Sequence, residues 1–574
     1  MMGKVTKKDI IQLLENIALY LEIKGENPFR ISAYRKAAQT LEKDERSLTE
    51  IDDLSTLPGI GKGTHDLIVE YIETGKSTML QQLQAEVPSG LIPLLKLPGL
   101  GGKRLATLYK ELDIVDVNSL QTACEDGHVA SLKGFGKKTV DNILQAIENQ
   151  ASRPERLPVA YMLKLAKEIE AYLDKISEIQ RFSLAGSLRR MRETIKDIDF
   201  IIATEQPEVV REALLQIEKI KEVIASGNTK VSVTLADEYD VNVDFRLVED
   251  AEFTTTLHHF TGSKDHNVAM RQLAKGRGEK INEYGVEVEK TNELLQFTSE
   301  DEFFNHFDVD YIPPEMREDM GEVTAFQESY VPLERKLIRG DLHMHSTWSD
   351  GAESIEEMVQ YARNLHYDYI AITDHSKYLR VANGLNETRL RKQAEEIDEL
   401  NEKYPDIHIF KGVEMDILPN GELDFSDDFL QEMDIVIAAI HSSFNQSEEE
   451  IMHRLETAVN NPYVDIIAHP TGRLIGRREG YNVHVERLIT LAQKTNTVLE
   501  LNANPMRFDL APEYLKKAQE AGVTIAINTD AHRTSMLEHM AYGIKVANKG
   551  WIEQNTVLNT WDVDRLKQFL NRNK

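Results

Sequence analysis

The sequence predicts a multidomain protein: an all-α amino-terminal region, an α+β middle, and a carboxy-terminal distorted (β/α)7 barrel. Three observations carry this expectation. The chain has 574 residues, beyond what one hydrophobic core supports. A Gly-x-Gly turn leading into a helical stretch occurs three times within the first 140 residues. From Leu337 onward, seven short apolar strands alternate with amphipathic helices. An open doubly wound sheet is the alternative for that last part.

Hydrophobic residues make up 41% and charged residues 28%, the profile of a folded domain and not of a disordered chain. No apolar run approaches the ~20 residues that span a bilayer, and residues 1–20 lack the apolar core of a signal peptide. The single cysteine, Cys124, excludes an internal disulfide framework and a thiolate zinc cage. A cytoplasmic protein is expected, with any metal held by imidazole and carboxylate. The net charge is −29, which as a total argues against phosphate neutralisation by Lys and Arg. Its distribution matters more. Residues 1–200 carry 28 basic against 29 acidic residues, 201–335 carry 13 against 29, and 336–574 carry 26 against 38. The near-neutral first third is therefore where basic faces are expected.

The first 150 residues read as helices. Ile10, Leu13, Leu14, Ile17 and Leu21 follow helical spacing, and a second helix is expected over 33–41. The recurring turn is Leu57-Pro58-Gly59-Ile60-Gly61, then Leu97-Pro98-Gly99-Leu100-Gly101, then Leu132-Lys133-Gly134-Phe135-Gly136. Lys62, Lys103 and the pair Lys137-Lys138 stand nearby. Such a turn exposes backbone N–H groups at the positive end of a helix dipole, where a DNA phosphate binds without sequence readout. One copy is equally a plain helix connector. Three copies with lysines favour DNA contacts at Gly59, Gly61, Gly99, Gly101, Gly134 and Gly136. They resemble helix-hairpin-helix DNA-binding motifs.

Beyond the linker Arg153 to Pro158 the texture changes to a helix over 161–176 and strands at 182–184, 198–203, 230–235 and 241–247. Gly186-Ser187 is expected to open a helix whose N-terminus receives a phosphate, with Arg190 one turn in as a bidentate donor. Asp197 and Asp199 stand at i and i+2, which turns both carboxylates to one side of a strand. Asp244 lies on a later strand expected to pair alongside. Three such carboxylates suit Mg²⁺ bridging substrate phosphates. Two ions would activate a 3′-hydroxyl and stabilise a leaving pyrophosphate.

This Gly-Ser, Asp-x-Asp, Asp pattern, preceded by helical hairpins, resembles the nucleotidyltransferase palm of the family X DNA polymerases. The likeness continues through Phe260-Thr261-Gly262-Ser263, Asn267, Arg271 and Ile281-Asn282-Glu283-Tyr284 on the thumb side, and covers most of residues 1–320. It implies that Asp197, Asp199 and Asp244 hold two Mg²⁺ ions and are catalytic. Gly186, Ser187 and Arg190 would bind the triphosphate, while His259, Phe260, Gly262, Asn267 and Arg271 would line the sugar, base and template side. Two positions depart from the family. His259 stands where eukaryotic relatives carry the Tyr that crowds the ribose 2′-position, which weakens the expectation of sugar discrimination. Leu67 stands where the amino-terminal domain of polymerase beta has its Schiff-base lysine, so the likeness does not carry 5′-deoxyribose-phosphate lyase activity.

The last third holds the strongest chemical signal. His343, His345, Asp350, His375, Glu414, His441, His469, Asp530 and His532 each fall at or just past an apolar strand, where a (β/α) barrel gathers its active site. A core histidine is the ordinary reading of one such residue, not of six strand ends at once. Nine donors exceed the roughly three protein ligands of one catalytic zinc, so two or three ions are expected. Imidazole with carboxylate suits Zn²⁺, Mn²⁺ or Fe. The set resembles the PHP (polymerase and histidinol phosphatase) domain, with all nine ligand positions filled. This implies a Mn²⁺- or Zn²⁺-dependent 3′–5′ exonuclease, with apurinic endonuclease and 3′-end cleaning as related activities. Arg473, Arg477 and Arg478 after His469 are candidate DNA contacts, equally readable as a solvated cluster.

The expected division is a helical DNA-end-binding domain over 1–85, a fingers-like domain with two further hairpins over 86–152, the palm over 153–248, the thumb over 249–320, a linker over 321–336, and the PHP barrel over 337–574. The expected activity is gap-filling DNA synthesis in base excision repair coupled to 3′-end trimming. The expected partners are gapped or primed duplex DNA and deoxynucleoside triphosphates, with no membrane and a monomeric enzyme. A DNA-associated small-molecule phosphoesterase with a weak polymerase remains the alternative.

Overall fold

Helical periodicity builds the amino-terminal region. In the computed structural model, which describes residues 5, 7–44, 51, 53–97, 100–151 and 155–572, the helices Lys7–Ile23 and Pro28–Lys43 pack against each other. They bury Ile10, Leu14, Ile17, Ala37 and Leu41. Asn27 caps the second helix by accepting from the Phe29 amide, with Pro28 at its first position. Leu67, on the helix Lys62–Thr74, is buried in this same core. A second core gathers Leu91, Leu94, Leu105, Leu108 and Ile143.

In all three recurring turns burial sorts the residues. Leu57 and Ile60, Leu97 and Leu100, and Phe135 point inward, leaving Gly61, Gly101 and Gly136 exposed. Gly59 and Gly134 hold φ of 89° and 96°, which a side chain would disfavour. Gly61 and Gly101 are the caps of the helices Lys62–Thr74 and Gly102–Leu112. Pro98, Gly99, Arg153 and Pro154 lie outside the described residues.

The palm is a five-stranded sheet of β1 (Arg181–Leu184), β2 (Ile198–Ala203), β3 (Ile220–Ser226), β4 (Lys230–Ala236) and β5 (Asp240–Val248). Its order is β1-β2-β5-β4-β3, with β2 and β5 parallel and the other pairs antiparallel. The helix Val159–Leu173 fills its core through Met162, Leu165 and Ile169. β3 was not expected. It is an edge strand whose residues are almost all exposed, so it carries no alternation for a sequence reading to find.

The thumb joins the helices Asp250–Thr261 and Lys264–Gly276 to a small three-stranded sheet and a buried aromatic group around Phe303, Phe304 and Phe307. Residues 321–336, expected as a linker, are in part built into this unit. Helix Glu322–Gln327 buries Phe326 in the thumb core, and Glu322 pairs with His266 at 2.7 Å. Nothing in the local sequence marks Glu322 as a buried, partnered carboxylate.

Glu300 ties palm to thumb: its two oxygens accept from Arg317 Nη1 and Arg189 Nη2, each at 2.6 Å. Burial pushes this carboxyl up, but Arg317 and Arg189 outweigh it and hold it well below the usual range. A depressed folded pKa contributes stability that is complete above the unfolded value of ~4.3 and is lost progressively as pH falls from there through the lower folded value. Glu300→Gln is therefore expected to destabilise by about 3 kcal/mol at pH 7, with the gap shrinking below about pH 4. Thermal midpoints of both proteins across pH 3.5–7 check this; a gap independent of pH would refute it.

The last third is a parallel barrel of β6 (Gly340–Asp341), β7 (Tyr369–Ile372), β8 (His408–Asp416), β9 (Ile435–Ala439), β10 (Ile466–Ile467), β11 (Val498–Asn502) and β12 (Ile525–Asn528). Strands pair in sequence order. A parallel bridge between Met344 and Ala531 brings the first and last staves together, with the His345 amide donating to the Ala531 carbonyl at 2.8 Å. The open doubly wound alternative is thereby excluded. Palm and barrel share one continuous apolar core. The amino-terminal helices also reach the barrel, where Lys7 Nζ donates to Asn383 at 3.3 Å.

Candidate active sites

The first site forms where two parallel strands lie side by side. Asp199 on β2 and Asp244 on β5 are register partners. Their neighbours Ile198, Phe200, Val243 and Phe245 are fully buried, so strand parity turns both carboxylates to the opposite, half-buried face. Asp197 lies one residue before β2, where a strand position was expected, and its charge still reaches Asp199. Burial first, then the charges of Asp244 and Asp197, push the Asp199 carboxyl up to about 7. A divalent cation would relieve such crowding. Lys230 Nζ lies 2.9 Å from Asp244, and Ser232, its cross-strand partner, donates to it at 2.5 Å. Sequence reasoning missed both; their pairing depends on the register of β4 against β5.

Gly186 holds φ of 65° and opens a single helical turn, Gly186–Arg189. A Cβ there would come 2.2 Å from Asp199 Oδ2, so glycine is what lets the carboxylate approach this turn. Ser187 is half-buried beside it. Arg190 Nη1 donates to the Thr261 carbonyl, and its Nε donates to Glu318 at 3.2 Å. That brings Arg190 against Gly262, whose added Cβ would meet Nη1 at 3.2 Å. Asn267 is buried and donates to the His259 carbonyl at 2.8 Å. Phe260 carries the Arg246 guanidinium 4.5 Å from its ring centre. His259 is half-buried, while Arg271 stands exposed on the helix Lys264–Gly276.

The second site lies at the carboxy-terminal ends of the barrel strands. Glu414 on β8 is its centre: His375 Nδ1 approaches it at 2.9 Å, His469 Nε2 at 3.0 Å, His441 Nε2 at 3.1 Å and His343 Nε2 at 3.4 Å. His345 Nε2 lies 3.2 Å from Asp530, and His532 Nε2 lies 3.3 Å from Asp350. The donors fall into three overlapping groups, His345 with Asp350, His375 and His532; His343 with His345, Glu414 and Asp530; and His375 with Glu414 and His441. Within each group the donor atoms all lie within 4.8 Å of one another.

A divalent cation fits this chemistry. His343 Nε2, His345 Nε2, His375 Nδ1 and Glu414 Oε2 are buried and crowd their neighbours at 2.9–3.4 Å without hydrogen-bond geometry, an arrangement that a shared cation would satisfy. Burial, then His532 and His375, push His345 down to about 3, leaving a neutral imidazole with a lone pair. His469 and Asp530 hold left-handed backbone, φ 29° and 52°, strain of the kind that persists at functional positions.

Glu500 on β11 was missed. Its Oε1 lies 2.7 Å from His343 Nδ1, and its Oε2 accepts from the His469 amide at 2.7 Å. Asp416 similarly meets His441 Nδ1 at 3.2 Å. These carboxylates fix ring orientation and tautomer. The available signal was an acid inside the apolar run Val498–Asn502.

Family models match four stretches of the chain. A helix-hairpin-helix domain matches residues 5–77, a SAM-like helix-hairpin-helix tandem matches 91–149, a DNA polymerase beta thumb matches 256–318, and a PHP domain matches 341–504. The DNA polymerase/3′-5′ exonuclease PolX of Bacillus subtilis (strain 168) is 60% identical over 567 residues, 99% of this chain and 100% of that protein. The chain is a family X DNA polymerase with a PHP domain. Probable phosphatases from Thermoanaerobacter sp. (strain X514) and Acetivibrio thermocellus are 30% and 25% identical over the stretches they match. Each match covers 41% of this chain and 95% of the relative.

In this family X chain, Asp530 and His532 complete the ligand groups from beyond the span matched by the PHP model. Arg477 is exposed. Arg473 is a strut between barrel and palm, 2.7 Å from Glu193 and donating to the Arg507 and Phe508 carbonyls. Arg507, also missed, lines the candidate metal pocket 3.7 Å from Asp530. No helix among the described residues is long and apolar enough to cross a membrane.

Proposed function

We propose that this chain fills short gaps in DNA through its palm and trims 3′-ends through its barrel, as a monomeric cytoplasmic repair enzyme. The observation that carries the reading is the pairing of Asp199 with Asp244 in register beside Asp197, in one chain with eight of the nine expected barrel donors gathered in three overlapping groups. In the palm, Gly186, Ser187 and Arg190 would receive the triphosphate, while Phe260, Gly262, Asn267 and Arg271 shape the sugar and template side. Two Mg²⁺ ions held by the three aspartates would supply charge neutralisation at the attacking oxygen and the leaving pyrophosphate. Lys230 beside Asp244 and Arg246 over Phe260 add positive charge around the developing polyanion.

In the barrel, the nine ligands would hold two or three Mn²⁺ or Zn²⁺ ions, whose Lewis acidity activates water against a phosphodiester. Glu500 and Asp416 keep the imidazoles aligned for that task, and Arg507 offers a cation to the phosphate. The exposed turn glycines, with Lys62, Lys103 and Lys137, would bind the duplex backbone.

A duplex with a short gap and a 5′-phosphate tests the whole reading on one labelled primer, with Mg²⁺ or Mn²⁺ and with or without nucleotides. Extension with nucleotides and shortening without them are expected. Hydrolysis of phosphate monoesters with neither change in the primer would favour the small-molecule phosphoesterase instead.

A further inference from the structure

The barrel reaches into the nucleotide site of the palm. Lys549 ends the helix Met540–Lys549, which follows the loop carrying Asp530 and His532. Its ammonium leaves the barrel, donating to the Arg190 carbonyl at 3.1 Å and to Glu318 Oε1 at 3.2 Å. The same Glu318 oxygen accepts from Arg190 Nε at 3.2 Å, and Arg192 Nη1 lies 3.7 Å away. One carboxylate thus faces three cations. The contact is held in place beside it, where buried Asn548 binds the Leu333 backbone and Glu315, and Trp551 packs on Tyr330 at 5.1 Å.

Lys549 is only 14% exposed along its side chain, and burying an ammonium is unfavourable unless its partners hold it. Burial lowers its pKa while Glu318 opposes that shift. Of the three cations, Arg192 is the most distant, so Arg190 and Lys549 compete most directly for Glu318. With Lys549 on the same oxygen, the pull on Arg190 is divided and the positive charge beside the Gly186-Ser187 turn is larger by one.

We propose that Lys549 is a positioning residue for nucleotide binding, supplied by the PHP barrel: it anchors the Arg190 backbone and competes for Glu318, so that the Arg190 guanidinium is released to the triphosphate. This role rests on the reading of Arg190 as a triphosphate ligand. Losing one buried charged partner corresponds to roughly a tenfold change.

The test uses the full chain on gapped duplex, titrating the incoming nucleotide. Lys549→Met is expected to raise the nucleotide KM about tenfold with kcat within about twofold, and Lys549→Arg to restore it. Arg190→Ala should raise KM as well, and adding Lys549→Met to it should cost nothing further. Primer degradation without nucleotides should be unchanged in Lys549→Met. A raised KM in Arg190→Ala with a normal one in Lys549→Met would overturn the role of Lys549 alone. A normal KM in Arg190→Ala would overturn the Arg190 reading and this role together. A joint fall of kcat, exonuclease rate and thermal midpoint in Lys549→Met would mark a packing role and also overturn it.

Discussion

Replacing Asp197 and Asp199 together by alanine is expected to abolish nucleotide addition, by about a thousandfold or more, while 3′–5′ degradation stays within about twofold. The asymmetry follows from where these side chains sit. Both belong to the palm, and the Asp199 carboxyl is pushed up to about 7 by burial and by its acidic neighbours. Removing two of three carboxylates removes the negative charge that would hold Mg²⁺, worth several kcal/mol of transition-state stabilisation. Little else should move, because Phe200, Val243 and Phe245 carry the core packing of these strands. The check is the labelled gapped duplex, read for extension and shortening in the same lanes. Loss of both activities would mean that the two chemistries are not separate.

The converse substitution is Glu414→Gln, with His345→Ala as its companion. Exonuclease activity is expected to fall by about a thousandfold and gap filling to persist. Glu414 meets four imidazoles at 2.9–3.4 Å, and His345 belongs to two of the three donor groups. Each change therefore disables more than one ion position. Glu414→Gln preserves shape while removing the charge. Bound Mn²⁺ or Zn²⁺ per chain, measured after dialysis, should fall along with the activity. Full metal content with lost activity would place Glu414 in the chemistry and not in the binding.

How far the residues alone could be read depended on whether their partners were near in sequence. Most candidate barrel donors stand out in the sequence because they follow an apolar run: Ile440 precedes His441 and Ala468 precedes His469. The hairpin turns were legible because the apolar and glycine positions alternate within five residues, and burial follows that alternation. Residues whose role rests on a distant partner were not legible. Glu500 reads as an interruption of a strand until His343 is 2.7 Å away. Glu322 reads as part of a linker until His266 meets it. Arg473 reads as a free cation until Glu193 pairs with it across the palm–barrel contact.

Donor types, their order along the strands and the separation of a carboxylate cluster from a histidine-rich one can be read from the residues alone. Those features follow from local periodicity and from donor chemistry, which need no third dimension. Which charges share a partner is set by the folded arrangement. Strand register set Asp199 against Asp244, barrel closure brought His345 to Asp530, and the palm–barrel contact delivered Lys549 to Glu318. Electrostatic coupling depends on separations of a few ångströms between residues far apart in the chain, and no spacing along the sequence encodes those distances.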